Sequence, residues 1–467
     1  MDLHKWLIQH VSYPHSLWRA GELGTLSHLR EFERTQYLPP EELRALQWNR
    51  LRTVLDHAYQ ASPFYRERFE RAGVIPSDLH GLEDLRALPP LEKSDIQANR
   101  DRMVAAGLSR EALIANQTGG STGTPISFFF SRDRKCARAA ATVRHNRWAG
   151  WDVGDRVACI WGAARDRPPN AWRSRLRNAL VERQLFIDTG CLTEGAIDRF
   201  QQALKRFRPK IILAYARSAV LVARYLKARG LTPYQPHSMV TSAEVLERDE
   251  RALLEEVFGC PVFNRYGCRE FSVVASECES HRGLHTMAES LYVEIEGDDG
   301  PARAGEPGAI LVTDLLNLAM PMIRYRIGDI GSWETGECSC GRSLPRLREI
   351  GGRVTDFLVG SDGRLVSGVF IVTYLIAQRP RLGQVQIVQD TPGKVLFRIK
   401  PGQGFQPEED FDYLTSHTCQ YLGPETEVEF QVVPELRVEA SGKMLVCRST
   451  VKPTFLKVSD QESLAIR

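Results

Sequence analysis

No stretch of this 467-residue chain approaches a membrane span, which needs a run of about 18 apolar residues, so no membrane partner is expected. An excess of charge of one sign is nearly absent. The 61 basic and 58 acidic residues leave a formal net charge of +3, and their interspersion gives no footprint for nucleic acid. The opening MDLHKWLIQHVSYPHSLWRAGELG mixes His, Lys, Arg and Glu into its apolar residues. It lacks the apolar core and small-residue cleavage site of a signal peptide, so a cytoplasmic protein is expected. Internal repeats and low-complexity tracts are missing. Ten cysteines in a chain this long do not make a disulfide scaffold. Cys136, Cys159, Cys191, Cys260, Cys419 and Cys447 stand singly and should pack as small hydrophobes. What is there, 43% hydrophobic and 25% charged residues, belongs to a globular protein, and the length implies two or more domains.

Residues 41–75 have helical spacing that ends near Gly73, and LPPLEKSDIQANRDRMVA reads as a proline break and a further helix. EALIANQ and ISFFFS read as strands on either side of a glycine-rich loop. From 150 to 265, RVACIWGA, KIILAY, SMVTS and PVFNRYG alternate with helical segments, in one of which Ile197, Phe200, Leu204 and Phe207 share a face. Such alternation predicts parallel crossover units, with ligands gathered at the carboxyl ends of the strands. Beyond residue 283, strands separated by Gly, Pro and Asp turns predict an antiparallel or β-barrel-like layer. The grain changes again near 352, giving an α+β unit. The predicted fold class is therefore α/β: a large amino-terminal domain (1–352) with parallel and mixed sheets flanked by helices plus the barrel-like layer, then a small α+β carboxy-terminal domain (353–467).

Chemistry concentrates in a few places. TGGSTGTP, residues 118–125, holds three glycines and four hydroxyl residues. The backbone N–H groups of Gly119, Gly120 and Gly123, with the hydroxyls of Thr118, Ser121, Thr122 and Thr124, suit a phosphate. No lysine ends the loop and a strand follows it, which excludes a Walker-type site; a tight hairpin is the plain alternative. Glu270 in NRYGCRE follows a parallel strand, where a carboxylate can hold Mg²⁺ on a nucleotide. Asp329 in IRYRIGDIG reads as a turn residue able to accept two ribose hydroxyls. Lys443 in EASGKMLV stands beside Gly442. Taken singly, these three read equally well as exposed loop or turn residues.

Their order is the stronger signal. TGGSTGTP, TSAEVL, NRYGCRE, MIRYRIGDIG, GGRVTD and SGKMLV follow one another as in adenylate-forming enzymes. The chain resembles the phenylacetate–CoA ligase branch of that superfamily from about residue 40 to 455, including ASPFYRERFERAG and LPPLEKSDI near the start. The resemblance implies an ATP-dependent acid–thiol ligase. A carboxylic acid, aryl or aryl-alkyl by analogy, is adenylated with release of pyrophosphate, and a thiol, usually coenzyme A, then displaces AMP. The substrates implied are a small carboxylic acid, ATP with Mg²⁺, and coenzyme A. Alternatives are a carrier-protein thiol or an amine as acceptor, or a nucleotide-binding protein without turnover; a homodimer is left open. The glycine loop is implied to cradle the β- and γ-phosphates and Glu270 to hold Mg²⁺. Ser242, Ala243 and Glu244 are implied to line the adenine pocket, with Tyr266 and Gly267 beside the nucleotide. Asp329 is implied to hold the ribose with Arg353 nearby, and Lys443 to reach the α-phosphate in the first half-reaction only. That role requires the small domain to rotate about a hinge near GGRVTD, where Thr355 stands at a position usually acidic. Arg269 replaces a common threonine or serine, and ion-pairs with substrate or with Glu244 or Glu289.

A second constellation is Cys278, His281 and His285 in ECESHRGLH with Cys338 and Cys340 in ECSCGR. Three thiolates and one imidazole make a closed tetrahedral Zn²⁺ site, and relatives in this branch carry such cysteines at matching places. His285 is the expected fourth ligand because it enters a strand, whereas His281 sits in a charged turn; free thiols and surface histidines are the alternative. Trp161, Tyr215, Tyr266 and Phe271 flank the expected strand ends, as an aromatic acid pocket or as core.

Overall fold

The fold is that of a computed structural model, in which residues 2–117, 126–161, 176–188, 194–242, 244–298, 300–353, 357–361, 365–367, 375–376, 379–402, 404–436 and 447–451 are described. Strands β1 (Ile114–Gln117) and β2 (Ser127–Phe130) pair antiparallel on either side of the glycine loop. Then β3 (Val157–Trp161), β4 (Gln184–Asp188), β5 (Ile211–Tyr215), β6 (Ser238–Ser242) and β7 (Val262–Cys268) form a parallel array, as the alternation predicts. Helices Glu194–Phe207, Ala216–Ala228 and Arg248–Phe258 run between them. They bury Phe200, Leu204, Val222, Leu226 and Leu254 against Ile160, Ile212 and Met239 on one sheet face. On the other face Cys159, Val240 and Phe263 pack beneath Ala149, just past helix Arg132–Trp148.

The antiparallel layer joins the same sheet. Strands β8 (Ser272–Glu277), β9 (Leu284–Thr286), β10 (Leu291–Gly297), β11 (Gly300–Pro301), β12 (Gly308–Asp314), β13 (Tyr325–Trp333) and β14 (Arg346–Arg353) complete twelve strands in the order β11-β10-β12-β13-β14-β9-β8-β7-β6-β5-β3-β4. The two halves meet where β14 pairs with β9, through Arg346 with His285 and Leu347 with Leu284. Gly283 lies at this seam with φ +79°, and a Cβ there would stand 2.7 Å from the Leu347 carbonyl oxygen, so glycine is required both for backbone angle and for space.

Beyond residue 356, strands β15 (Phe357–Val359), β16 (Leu365–Ser367), β17 (Gln384–Thr391), β18 (Lys394–Lys400), β19 (Glu427–Val432) and β20 (Cys447–Ser449) surround a core of their own. Helix Pro407–Leu422 supplies Leu414 and Leu422, which pack on Ile387, Val395 and Phe397.

Two features differ from the sequence reading. The expected helix over 41–75 is two helices, Pro40–Ala61 and Pro63–Ala72. Pro63 disfavours the helical conformation at Ser62, which stands extended and whose hydroxyl accepts from the Tyr65 N–H at 3.4 Å. Helices Gly24–Thr35 and Arg132–Trp148, which local pattern does not reveal, pack against each other. His28 ties them through Asp133, Nε2 to Oδ1 at 2.9 Å. Hydrogen bonds to Asp133 and Glu31 raise its pKa to about 9. A raised folded-state pKa stabilises fully below the unfolded value near 6.5 and is lost as pH rises through about 9. The stability difference between the protein and His28→Gln should therefore shrink between pH 6.5 and 9. It should start near about 1 kcal/mol because Asp133 is largely exposed. Parallel melting curves across that range check this, and a difference constant with pH would refute it.

Candidate active site

The carboxyl ends of the parallel strands and the start of β13 bring together most of the expected residues that lie among those described. Asp329 is not on a turn. It sits inside β13 at a bulge, opposite Arg353 of β14 in the strand register. Its Oδ2 accepts a 2.7 Å hydrogen bond from the Tyr266 hydroxyl. Burial, and next the Asp329 carboxylate, push the Tyr266 phenol well above its ordinary range, so it stays protonated and donates. Glu270 stands on the turn after β7, and its Oε1 lies 3.4 Å from the hydroxyl of buried Tyr325. Gly267 permits the tight β7–β8 hairpin, since a Cβ would lie 2.3 Å from the Ser272 carbonyl oxygen.

The turn carrying Glu270 is held from beneath by residues that the sequence reading missed. Arg138 of helix Arg132–Trp148 donates to the Glu270 carbonyl at 2.7 Å and to the Arg269 carbonyl at 2.8 Å. Its guanidinium stacks 4.8 Å from the Phe130 ring centroid on β2. Burial brings its pKa down to about 10, and it remains a cation. Asn116 of β1 reaches the same Arg269 carbonyl at 3.4 Å. One turn earlier on the helix, Arg134 donates to the Phe271 carbonyl at 3.4 Å and pairs with Asp314 at 2.6 Å. The strands flanking the glycine loop and the turn bearing Glu270 are thus bolted to one helix. The signal for this in sequence is the i, i+4 spacing of two arginines just after the loop.

Trp161 and Tyr215, at the ends of neighbouring strands, stack with ring centroids 4.1 Å apart. Ser242 follows in register beside Tyr215, and exposed Glu244 lies just beyond it. Phe271, expected on the pocket wall, is 1% exposed and belongs to the main core, tilted against Tyr325. Glu289 is fully buried and ion-paired with Arg144 at 2.5 Å, so it is not the partner expected for Arg269. Thr118, Gly119, Gly120, Ser121, Thr122, Gly123, Thr124, Ala243, Thr355 and Lys443 lie outside the described residues, as does the Arg353 side chain.

The second constellation is compact. One ligand atom from each of Cys278, His285, Cys338 and Cys340 falls within 4.8 Å of all the others. The Cys278 and Cys338 sulfurs are 3.7 Å apart, and the Cys340 sulfur is 3.4 Å from His285 Nε2. A tetrahedron with Zn–S bonds of 2.3 Å has edges of about 3.7 Å, so the donor set fits a zinc ion. His285 Nδ1 lies 3.0 Å from the Leu344 carbonyl, which can only accept. The proton therefore sits on Nδ1 and Nε2 presents its lone pair inward, the usual support for a metal-bound imidazole. His281 lies elsewhere, against Glu277 at 3.1 Å. The cluster flanks the β9–β14 seam, packed against Leu43, Trp148 and Leu344.

No family model matches the chain. Phenylacetate–coenzyme A ligase of Thermus thermophilus is 28% identical over 329 residues, covering 69% of this chain and 73% of that protein. The Escherichia coli protein of the same name is 28% identical over 327 residues, 68% of this chain and 73% of its own. Among solved structures, a 2-hydroxyisobutyryl-CoA ligase in the postadenylation state superposes with a TM-score of 0.70 at 22% identity, covering 92% of this chain and 94% of that one. The fold is thus shared over most of the chain. In sequence the chain is similar to phenylacetate–coenzyme A ligases, and in fold to the 2-hydroxyisobutyryl-CoA ligase.

Proposed function

We propose that the protein is an AMP-forming ligase that joins a carboxylic acid to coenzyme A. The observation that carries this reading is the convergence of two carboxylates on one sheet edge, Asp329 held by Tyr266 and Glu270 beside Tyr325. The ligase names of the relatives lend it weight. In the first step an oxygen of the acid attacks the α-phosphorus of ATP. The bond to the bridging oxygen breaks, and its electron pair leaves with pyrophosphate. In the second step the coenzyme A sulfur attacks the acyl carbon, its proton is lost, and the C–O bond to AMP breaks. Asp329 would hold the ribose, with Arg353 nearby, and Ser242, Ala243 and Glu244 would line the adenine pocket. Glu270 would hold a magnesium ion that offsets phosphate charge while two anions approach. Thr118 to Thr124 would cradle the departing phosphates. Residues 353–467, with a core of their own, would be the mobile domain that delivers Lys443 for adenylation. Cys278, His285, Cys338 and Cys340 would hold a structural zinc ion with no open coordination position.

Exchange of labelled pyrophosphate into ATP, run over a panel of aryl and aryl-alkyl acids, tests the reading. A cognate acid should support exchange, and product formation should need coenzyme A. Lys443→Ala should reduce exchange by about 100- to 1,000-fold, the cost of removing one transition-state cation or donor, while leaving the melting temperature unchanged. A panel without exchange, or full activity in Lys443→Ala, would overturn it.

A further inference from the structure

The parallel strands set four side chains in one row. Tyr215 is in register with Ser242 and Ser242 with Arg265, while Trp161 occupies the next position beyond the Ile160–Ala214 pair. Residues in register on neighbouring parallel strands share a face, and the 4.1 Å stack of Trp161 on Tyr215 agrees. One step down the strands, Cys159, Leu213, Val240 and Phe263 form an apolar floor on that face. The result is a shelf with an aromatic pair at one end and a guanidinium at the other.

Arg265 is half-buried, with its Nε shut off from solvent. Three of the buried arginines have a carboxylate, Arg134 with Asp314 at 2.6 Å, Arg144 with Glu289 at 2.5 Å and Arg324 with Glu294 at 3.1 Å, whereas Arg138 and Arg346 are satisfied by backbone carbonyls. Arg265 has a neutral partner, the Asn146 amide oxygen, 2.5 Å from Nη2. Its Nε is buried without a partner, and no Asp or Glu pairs with it among the described residues. Burial alone acts on its charge and draws its pKa down to about 10. A guanidinium fork matches a carboxylate in shape and charge.

We propose that Arg265 is a specificity-determining residue of the acid pocket, and that the acid taken by this enzyme bears a second anionic group besides the carboxylate that is adenylated. The inference rests on the ligase reading. Two strand spacings separate Tyr215 from Arg265, about 10 Å, the span of a ring resting on the aromatic pair with an anionic substituent reaching the guanidinium. Tyr266, the neighbour of Arg265, turns to Asp329, and successive residues of a strand point to opposite faces, so the guanidinium faces away from that carboxylate.

The test compares 4-carboxyphenylacetate with phenylacetate and 4-methylphenylacetate, in the protein, Arg265→Gln and Arg265→Lys. Pyrophosphate exchange and thermal shift are read in parallel. The protein should prefer the diacid by at least about 10-fold in kcat/KM, as a charge-assisted hydrogen bond to an otherwise unpaired buried group implies. Arg265→Gln should lose that preference while the monoacids change little, and Arg265→Lys should retain part of it. Arg265→Gln should fold normally, since it removes an unpaired buried charge. Equal use of mono- and diacids by the protein, or an unchanged ratio in Arg265→Gln, overturns the inference and leaves the ligase reading standing. If no acid supports exchange, the ligase reading falls. The thermal shift then still decides on Arg265: a diacid shift that does not depend on the arginine, or no shift, overturns its role.

Discussion

Glu289→Ala should destabilise the large domain by about 3–5 kcal/mol, the cost of breaking a buried ion pair from one side. Glu289 is 0% and Arg144 1% exposed. Their side chains meet twice, Nη1 to Oε1 at 2.5 Å and Nη2 to Oε2 at 3.2 Å. Thr35 donates to the same carboxylate at 3.1 Å, and Arg144 also reaches the Phe32 carbonyl at 2.9 Å. The guanidinium lies over the rings of Phe32 and Trp148. Helix Gly24–Thr35, helix Arg132–Trp148 and the β9–β10 turn are joined at this point. Alanine leaves the guanidinium inside without its counter-charge. The double replacement Arg144→Met with Glu289→Leu removes both charges and should cost far less, because apolar substitutes avoid desolvation altogether. Urea unfolding followed by intrinsic fluorescence reads both. A Glu289→Ala midpoint within about 1 kcal/mol of the parent, or a double variant no better than the single, would falsify this account.

The second large effect is expected at the cysteine–histidine cluster. Protein purified without chelator should carry one zinc ion per chain, and Cys338→Ser should carry none. Binding free energies of structural zinc sites run to about 10–16 kcal/mol in small peptides. Even a fraction of that, acting beside a two-residue pairing, should dominate local stability there. Hydrogen exchange should accelerate in β9, β14 and the Cys338–Cys340 loop of Cys338→Ser, with the parallel strands β3 to β6 little changed. The expectation fails if metal analysis finds no stoichiometric zinc, or if exchange in that region is the same with and without the ligand cysteine.

How far the sequence reveals this architecture depends on how local each determinant is. The parallel array was legible because its strands and helices each carry their own period: Ile197, Phe200 and Leu204 are buried at the spacing of one helix face. Helix Arg132–Trp148 was not. Its inward face sets Arg134, Arg144, His145 and Asn146 among Cys136, Ala137, Ala140, Ala141, Val143 and Trp148, and the carboxylates that make the two arginines tolerable there, Asp314 and Glu289, are 180 and 145 residues away. No window around the helix contains the compensation, so its buried face shows no apolar stripe. Asp329 looked like a turn residue because Gly328 precedes it; in the fold, Gly328 takes φ +93° within a bulged strand. Cys278, His285, Cys338 and Cys340 could be grouped from chemistry alone, because few residue types make a closed tetrahedral set. Arg265 gave no such signal, since its meaning lies in the missing partner and in the register of three other strands.

The sheet seam has a consequence for how the reaction centre keeps its dimensions. Glu270 hangs from the parallel half and Asp329 from the antiparallel half, and among the described residues the strand ladder between them crosses β9 and β14 at His285–Arg346 and Leu284–Leu347. The spacing of the two carboxylates therefore depends on a joint two residues wide, some way from either, as well as on the direct Tyr266–Asp329 and Tyr325–Glu270 contacts. Slippage there would mistune the site without altering a single group in it, so a variant at the joint should present as an enzyme with intact parts and poor alignment.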